Sequence, residues 1–336
     1  MLKIKKVKII YLSFSLIIIF CCFLVLHFMI IDKPEPELEI TISDAKFQAF
    51  GLIYIALQNG YFNDQNLKVN FRTFNLGKDA LSDTVAGNSD LATVFESPYI
   101  NMVNNGEDIS IISSLHKSKS NTAIIAYKEN GIKSVSDLKD KKIGVVKGTN
   151  SEFLLYTLLL GNNLKPSDIK IVYTDKDSIE QLFIDKKVDA VSVFNPNLYS
   201  LEQKFTAKEI NIFYSPTYIE NSVLAGKTEI IKSKRESITR FLKALAKAED
   251  FYKKNPEKSI DAVSVSIPDV PKETIANLWN SYDLTLSLDN VLLEILKREA
   301  QTEKDLENSK TEIKNFRNYI FTDYLKNVKP EDVTIF

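Results

Sequence analysis

Asp90-Leu-Ala-Thr-Val-Phe-Glu-Ser-Pro98 is echoed later in the chain by Asp189-Ala-Val-Ser-Val-Phe-Asn-Pro196. In each copy an acidic residue precedes a short apolar run, Phe closes the run, and a Pro follows a polar residue. The lead-ins match as well: an extended stretch (67–71; 169–173), a polar break, then a short helical pattern (78–86; 178–184). Two copies are too few for a solenoid, whose repeats are stable only when several stack. They suit two similar α/β lobes, each with polar residues at the C-terminal ends of its strands, where open α/β sheets bind ligands.

The chain has 336 residues, more than a single hydrophobic core usually supports, so two packed lobes are expected. Its net charge is −1 and the charges are interspersed, which argues against a nucleic-acid partner. Cys21 and Cys22 are the only cysteines and His27 and His116 the only histidines. The expected body therefore has no disulfide framework, thiol nucleophile or His/Cys metal site, and no cofactor is expected.

Lys3, Lys5, Lys6 and Lys8 precede an uncharged run over 9–31, followed by Asp32-Lys-Pro-Glu-Pro-Glu37. Such a segment directs the chain out of the cytoplasm and is long enough to span a bilayer. Residues 1–31 are read as a membrane anchor or signal segment and 32–38 as a linker. Lipidation at Cys21 or Cys22 and ordinary cleavage are the alternatives to an uncleaved anchor. Phe20 is a poor residue before an acylated Cys, and no small-x-small site follows the run. The expected location is the extracytoplasmic face of a bacterial membrane.

Periodicity places a strand at 38–42 and a helix over 45–59 with Phe47, Phe50, Tyr54, Leu57 and Tyr61 on one stripe. Strands are expected at 91–95, 109–113, 122–127 and 142–146, and a return strand at 221–225. From 232 onward the pattern is almost wholly helical. The expected division is lobe 1 at 39–121 and 227–336, including the C-terminal helices, and lobe 2 at 122–226.

The turn Gly148-Thr149-Asn150-Ser151 joins a strand to a helix. Its free amides and the helix dipole can hold an anion, or it is an ordinary N-cap with Glu152 in the first turn. Ser97 can cap the next helix or donate to a ligand, with Pro98 suited to its first position. Glu96 either lines the crevice, favouring a cationic or N–H-donating ligand, or is a solvated loop carboxylate. Asn195 is its counterpart in the second copy. Asp44 and Phe47 follow the first strand, and Phe47 also continues the core stripe. Asp90 and Asp189 precede their strands and read as turn residues. His116 lies in an expected polar loop with no nucleophile-elbow pattern, so no catalytic constellation emerges.

Ala56-Leu-Gln-Asn-Gly-Tyr-Phe62, Asn66-Leu-Lys-Val69, Ala86-Gly-Asn-Ser-Asp-Leu-Ala92 and Asn105-Gly-Glu-Asp-Ile109 occur in that order. Val135-Ser-Asp-Leu-Lys-Asp-Lys-Lys-Ile-Gly-Val145, Gly148-Thr149 and Val188-Asp-Ala190 continue the series. Over about 40–300 the chain resembles the extracytoplasmic solute-binding proteins of the nitrate/sulfonate/taurine and thiamine-precursor type. The resemblance implies an α/β, two-lobed type II periplasmic-binding-protein fold with a helical C-terminal part. It also implies a monomer that delivers a small solute to an ABC-transporter permease and its ATPase. Mapped by motif, ligand contacts fall on Asp44, Lys46 and Phe47; Glu96 and Ser97; Gly148, Thr149, Asn150 and Ser151; and Asn195. Glu96 departs from the small or neutral residue of sulfonate binders, favouring a zwitterion or pyrimidine-like heterocycle over a simple sulfonate-like anion. Two rivals remain: a tethered sensing module that signals through a membrane partner, and a pyrimidine-precursor synthase of the same superfamily. The synthase needs a Cys-rich motif that the expected body lacks.

Overall fold

Two mixed β-sheets, covered by helices, organise the chain from Leu38 onward. The structure, a computed structural model, describes residues 36–306 and 312–335. The anchor or signal segment, Cys21, Cys22 and most of the linker lie outside the described residues. Among the described residues no helix is long and apolar enough to cross a membrane.

In the first sheet β1 (Leu38–Asp44) runs parallel between β2 (Leu67–Thr73) and β3 (Leu91–Phe95). The antiparallel β10 (Glu220–Lys227) joins β3 to β4 (Ile109–Ser118), and the short β11 (Asp283–Leu284) closes the edge. The second sheet repeats the plan. There β6 (Lys142–Val146) lies parallel between β7 (Lys170–Thr174) and β8 (Ala190–Phe194). The antiparallel β5 (Thr122–Tyr127) joins β8 to β9 (Ile210–Phe213). The chain crosses between sheets twice, at 119–121 and 214–219.

The doubled phrase owes its Asp residues to this plan. The Asp90 carboxylate accepts the Thr41 amide at 2.8 Å while the Asp90 amide donates to the Thr41 carbonyl at 2.9 Å. Asp189 grips Lys142 in the same way, at 2.8 Å for both bonds. The clamps pin the start of β3 to β1 and the start of β8 to β6. These aspartates are structural, as expected, but they hold a neighbouring strand rather than the preceding turn.

The connections are short helices: α1 (Gly51–Gln58), α2 (Gly77–Val85), α3 (Glu96–Asn104), α4 (Asn150–Gly161), α5 (Ile179–Ile184) and α6 (Asn197–Lys204). After β10 come α7 (Thr228–Ser233), α8 (Arg235–Lys254), α9 (Pro256–Ser266), α10 (Lys272–Asn277), α11 (Asn290–Leu306) and α12 (Thr322–Lys326). The first core gathers α1 with α8 and α9 against the first sheet, and α11 packs on α3. Two apolar clusters, built on Leu154, Leu155 and Leu159 and on Phe183 and Val191, cover the second sheet.

Several expectations need correction. The helix expected from 45 begins later, because Lys46 sits in the left-handed region (φ 52°) and a single 3-10 turn precedes α1. Leu57 of the aromatic stripe is 41% exposed, whereas Leu52, Ile53 and Ile55 are fully buried, because α8 and α9 cover α1 from other sides. The return strand pairs within the first sheet, so that sheet recovers the chain at Glu220. His116 belongs to β4 and is fully buried. The helical C-terminal part is interrupted by β11 and by single bridges from Ile320 to Ile111 and from Val333 to Leu288.

Candidate functional site

The C-terminal ends of β1, β3 and β8 meet at three phenylalanines. Phe47 follows β1, while Phe95 and Phe194 end β3 and β8. The Phe47 ring lies edge-on to Phe95 at 5.8 Å and to Phe194 at 5.7 Å, so one side chain bridges the two sheets. Edge-to-face pairs of this kind favour the ring quadrupoles. Around them is a cavity of about 20 Å³, also lined by Asn121, Asn150 and Glu220. It has room for about one water molecule. A second space of about 690 Å³ adjoins it between α3 and α4, and the two share Lys78, Pro98, Gly148 and Thr149.

Polar contacts draw the lobes together. Lys78 of α2 donates to the Lys147 carbonyl at 2.7 Å, and Asn277 of α10 donates to the Tyr199 hydroxyl of α6 at 2.6 Å. The Lys176 ammonium sits 5.4 Å from the centre of the Phe47 ring. The crevice is therefore narrow and largely aromatic at its base.

Glu220 marks the second crossover. Its carboxylate accepts from Asn121 Nδ2 and from Thr122 Oγ1, the latter at 2.6 Å, both beside the first crossover. Tyr282 donates to Asn121 Oδ1 at 2.7 Å. Burial first, and then the negative charge of Glu96, push the Glu220 carboxyl up to about 8. His116 Nε2 is 3.8 Å from Glu220, beyond hydrogen-bond range, while Nδ1 meets Ser222 Oγ at 2.7 Å. Burial lowers His116 to about 3, so the imidazole is neutral.

The sequence-derived residues divide into three groups. Phe47, Gly148, Thr149 and Asn150 line the inner cavity; Lys46 and Asn195 line a small adjoining space beside Phe47, and Ser97 lines the larger one. Asp44 and Ser151 lie behind the walls. Asp44 accepts hydroxyls from Tyr54 at 2.9 Å and Thr93 at 3.0 Å, which makes it an internal acceptor. Ser151 shares a 2.8 Å bond with Thr149, and its carbonyl accepts from Ser192.

Glu96 is the largest departure. It is neither a solvated loop residue nor a crevice carboxylate: it is the first residue of α3 and is fully buried. It accepts the Tyr218 hydroxyl at 2.7 Å and the Asn221 amide at 3.0 Å. The Gly148 turn also differs from a free anion cradle. The Gly148 amide donates at 2.6 Å to the Glu152 carboxylate, which Tyr156 and Tyr173 hold at 2.8 Å each. A side chain of the chain itself sits where an anion would bind. Asn195 Oδ1 accepts the Tyr199 amide at 3.1 Å.

Sequence reading missed Phe95, Phe194, Asn121, Glu220 and Lys78. The two phenylalanines stood in the doubled phrase, where they read only as the end of an apolar run. Asn121 and Glu220 lie at crossovers without a motif and meet only through the fold. Among the described residues no group of three His, Cys, Asp or Glu side chains could hold a metal ion.

A family model described as NMT1/THI5 like matches residues 48–259. A Brucella abortus protein whose name assigns it a binding role is 26% identical over 220 residues, covering 65% of this chain and 67% of its own. A Bacillus subtilis protein named for aliphatic sulfonates is 26% identical over 280 residues and 80% of each chain. The crystal structure of the Escherichia coli periplasmic aliphatic sulphonate binding protein SsuA superposes with a TM-score of 0.73 at 19% identity. That superposition covers 88% of this chain and 99% of SsuA, and establishes the periplasmic-binding-protein fold.

Proposed function

The chain belongs to the NMT1/THI5-like family, and we propose that it captures a small organic solute between its lobes outside the cytoplasm and delivers it to an ABC permease. The observation that carries this reading is the aromatic cavity where strand ends of both sheets meet, lined by Glu220, Asn121 and Asn150. A planar solute would replace the Phe47–Phe194 contact and stack among the rings, binding the closed arrangement better than the open one. The neighbouring space of about 690 Å³ leaves room for a larger substituent. Binding by closure needs no bond-making residue, and the neutral His116, bonded to Ser222, offers no nucleophile relay.

The walls favour a solute with an N–H donor, as in a pyrimidine-like heterocycle or a zwitterion. Glu220 presents a carboxyl group inside the cavity, and the Gly148 amide in the turn that could hold a sulfonate is taken by Glu152. A sulfonate is the second reading, supported by the name of the Bacillus subtilis relative and by Lys78 on the cavity wall. A thermal-shift panel of aminopyrimidines, zwitterions and alkanesulfonates on the full-length protein tests both. Stabilisation by the first two classes supports the main reading, stabilisation by sulfonates alone the second, and no stabilisation contradicts solute capture.

A further inference from the structure

We propose that Glu96 and Glu299 hold one proton between them, forming a buried acid pair that fastens the second interlobe crossover to helix α3. Glu96 opens α3, and Glu299 comes from α11, which packs on it. Both side chains are fully buried and stand within hydrogen-bonding reach of each other. Their surroundings leave one oxygen over. Glu96 accepts from Tyr218 and from the Asn221 amide through its two oxygens, and Ser97 Oγ donates to Glu299 Oε2 at 2.8 Å. Glu299 Oε1 is buried with no partner.

Two ionised carboxylates in contact and away from water repel each other, and burial disfavours both charges. Among the described residues no Lys or Arg forms an ion pair with either. The titratable groups facing the pair are all acidic or neutral: Tyr218 from the crossover, Glu220 from β10 and Glu303 from α11. Desolvation is the main cause that raises both carboxyls, and each is raised further by an acidic neighbour or opposed only by neutral donors. One proton removes the repulsion and gives the orphaned oxygen its bond, as an O–H···O between the two side chains.

The pair reaches the other lobe in one step. Asn150 of α4 donates to the Tyr218 hydroxyl at 2.7 Å, and that hydroxyl donates to Glu96. Loss of the shared proton would put a second charge beneath this chain of bonds and admit water there. The pair's contribution is present at acidic pH and is lost as pH rises through the raised values of its carboxyls. The crossover therefore loosens from α3 on the alkaline side.

Isotope-edited infrared spectroscopy of the full-length protein, labelled with ¹³C-glutamate, reads protonated glutamates apart from aspartates. Glu220 is removed from the count with E220Q. The E220Q protein near pH 7 is expected to retain one protonated glutamate band. E220Q/E299Q is expected to lose it, since the amide introduced by E299Q can donate to an ionised Glu96. Absence of the band in E220Q, or its survival in E220Q/E299Q, overturns the proposal. Should the variants not fold, the wild-type intensity near pH 7 decides. Two protonated glutamates support the pair plus Glu220, and fewer overturn it.

Discussion

Gly226 offers a sharp test of how the chain returns to its first sheet. It lies in β10, and a Cβ placed there would stand 2.4 Å from the Asp90 carbonyl oxygen and 2.9 Å from Leu91 Cδ2. The first of these is backbone, fixed by the Asp90–Thr41 clamp, so it cannot swing aside as a side-chain end would. Gly226→Ala therefore forces β10 from β3 by about an ångström and costs about 2–3 kcal/mol, the usual scale of overpacking. In a body of this size that lowers Tm by roughly 4–12 °C. The same change at Gly161, which has open space around its Cβ position and no positive φ, is a matched control. It should leave stability unchanged or raise it by about 0.5 kcal/mol, because Ala restricts the unfolded chain. Urea denaturation of both variants measures the contrast. A Gly226→Ala protein within about 0.5 kcal/mol of wild type would refute the β10–β3 packing.

The bridge between sheets is tested by a double-mutant cycle on Phe47→Ala and Phe194→Ala. Their edge-to-face contact predicts a coupling of about 0.5–1.5 kcal/mol in solute-free protein, and additivity would contradict the contact. Glu152→Ala should open the Gly148 amide to external anions. Calorimetry should then show about tenfold tighter binding of ethanesulfonate, equivalent to about 1.4 kcal/mol, and unchanged affinity would mean that Glu152 does not plug the site. Two opposite pH dependences follow from burial. Glu220 is raised from 4.5 to about 8, so its share of stability is lost as pH climbs through that interval, and Glu220→Gln should flatten the alkaline fall in Tm. His116 is lowered from 6.5 to about 3, so its share is lost as pH drops through that window, and His116→Gln should flatten the acid fall. Unaltered pH profiles in these variants would contradict the assigned burial.

Local periodicity was legible in the sequence, and the fold follows from it. β3, β5 and β6 occupy the stretches that alternation and apolar runs marked, and the doubled phrase correctly announced two lobes of one plan. The start of α1 was hidden because nothing in the local pattern forces Lys46 into a left-handed conformation. Glu96 was misread because an isolated Glu is usually exposed. Its burial depends on Tyr218 and Asn221, 122 and 125 residues away, and on Glu299 from the last long helix. Glu220 was invisible for the same reason, since its partners Asn121 and Thr122 lie 99 and 98 residues earlier, at the other crossover. The Gly148 turn was recognised as a helix start, but the sequence did not reveal that Glu152 folds back onto its amide.

Isothermal titration calorimetry of an aminopyrimidine against the wild-type and Glu220→Gln proteins, beside an alkanesulfonate, decides whether the aromatic cavity captures a solute through Glu220. Solute capture at the aromatic cavity with Glu220 accepting an N–H predicts measurable aminopyrimidine binding that weakens by about tenfold or more in Glu220→Gln, with the sulfonate bound less tightly. Equal aminopyrimidine binding by both proteins, or binding of the sulfonate alone, would contradict it.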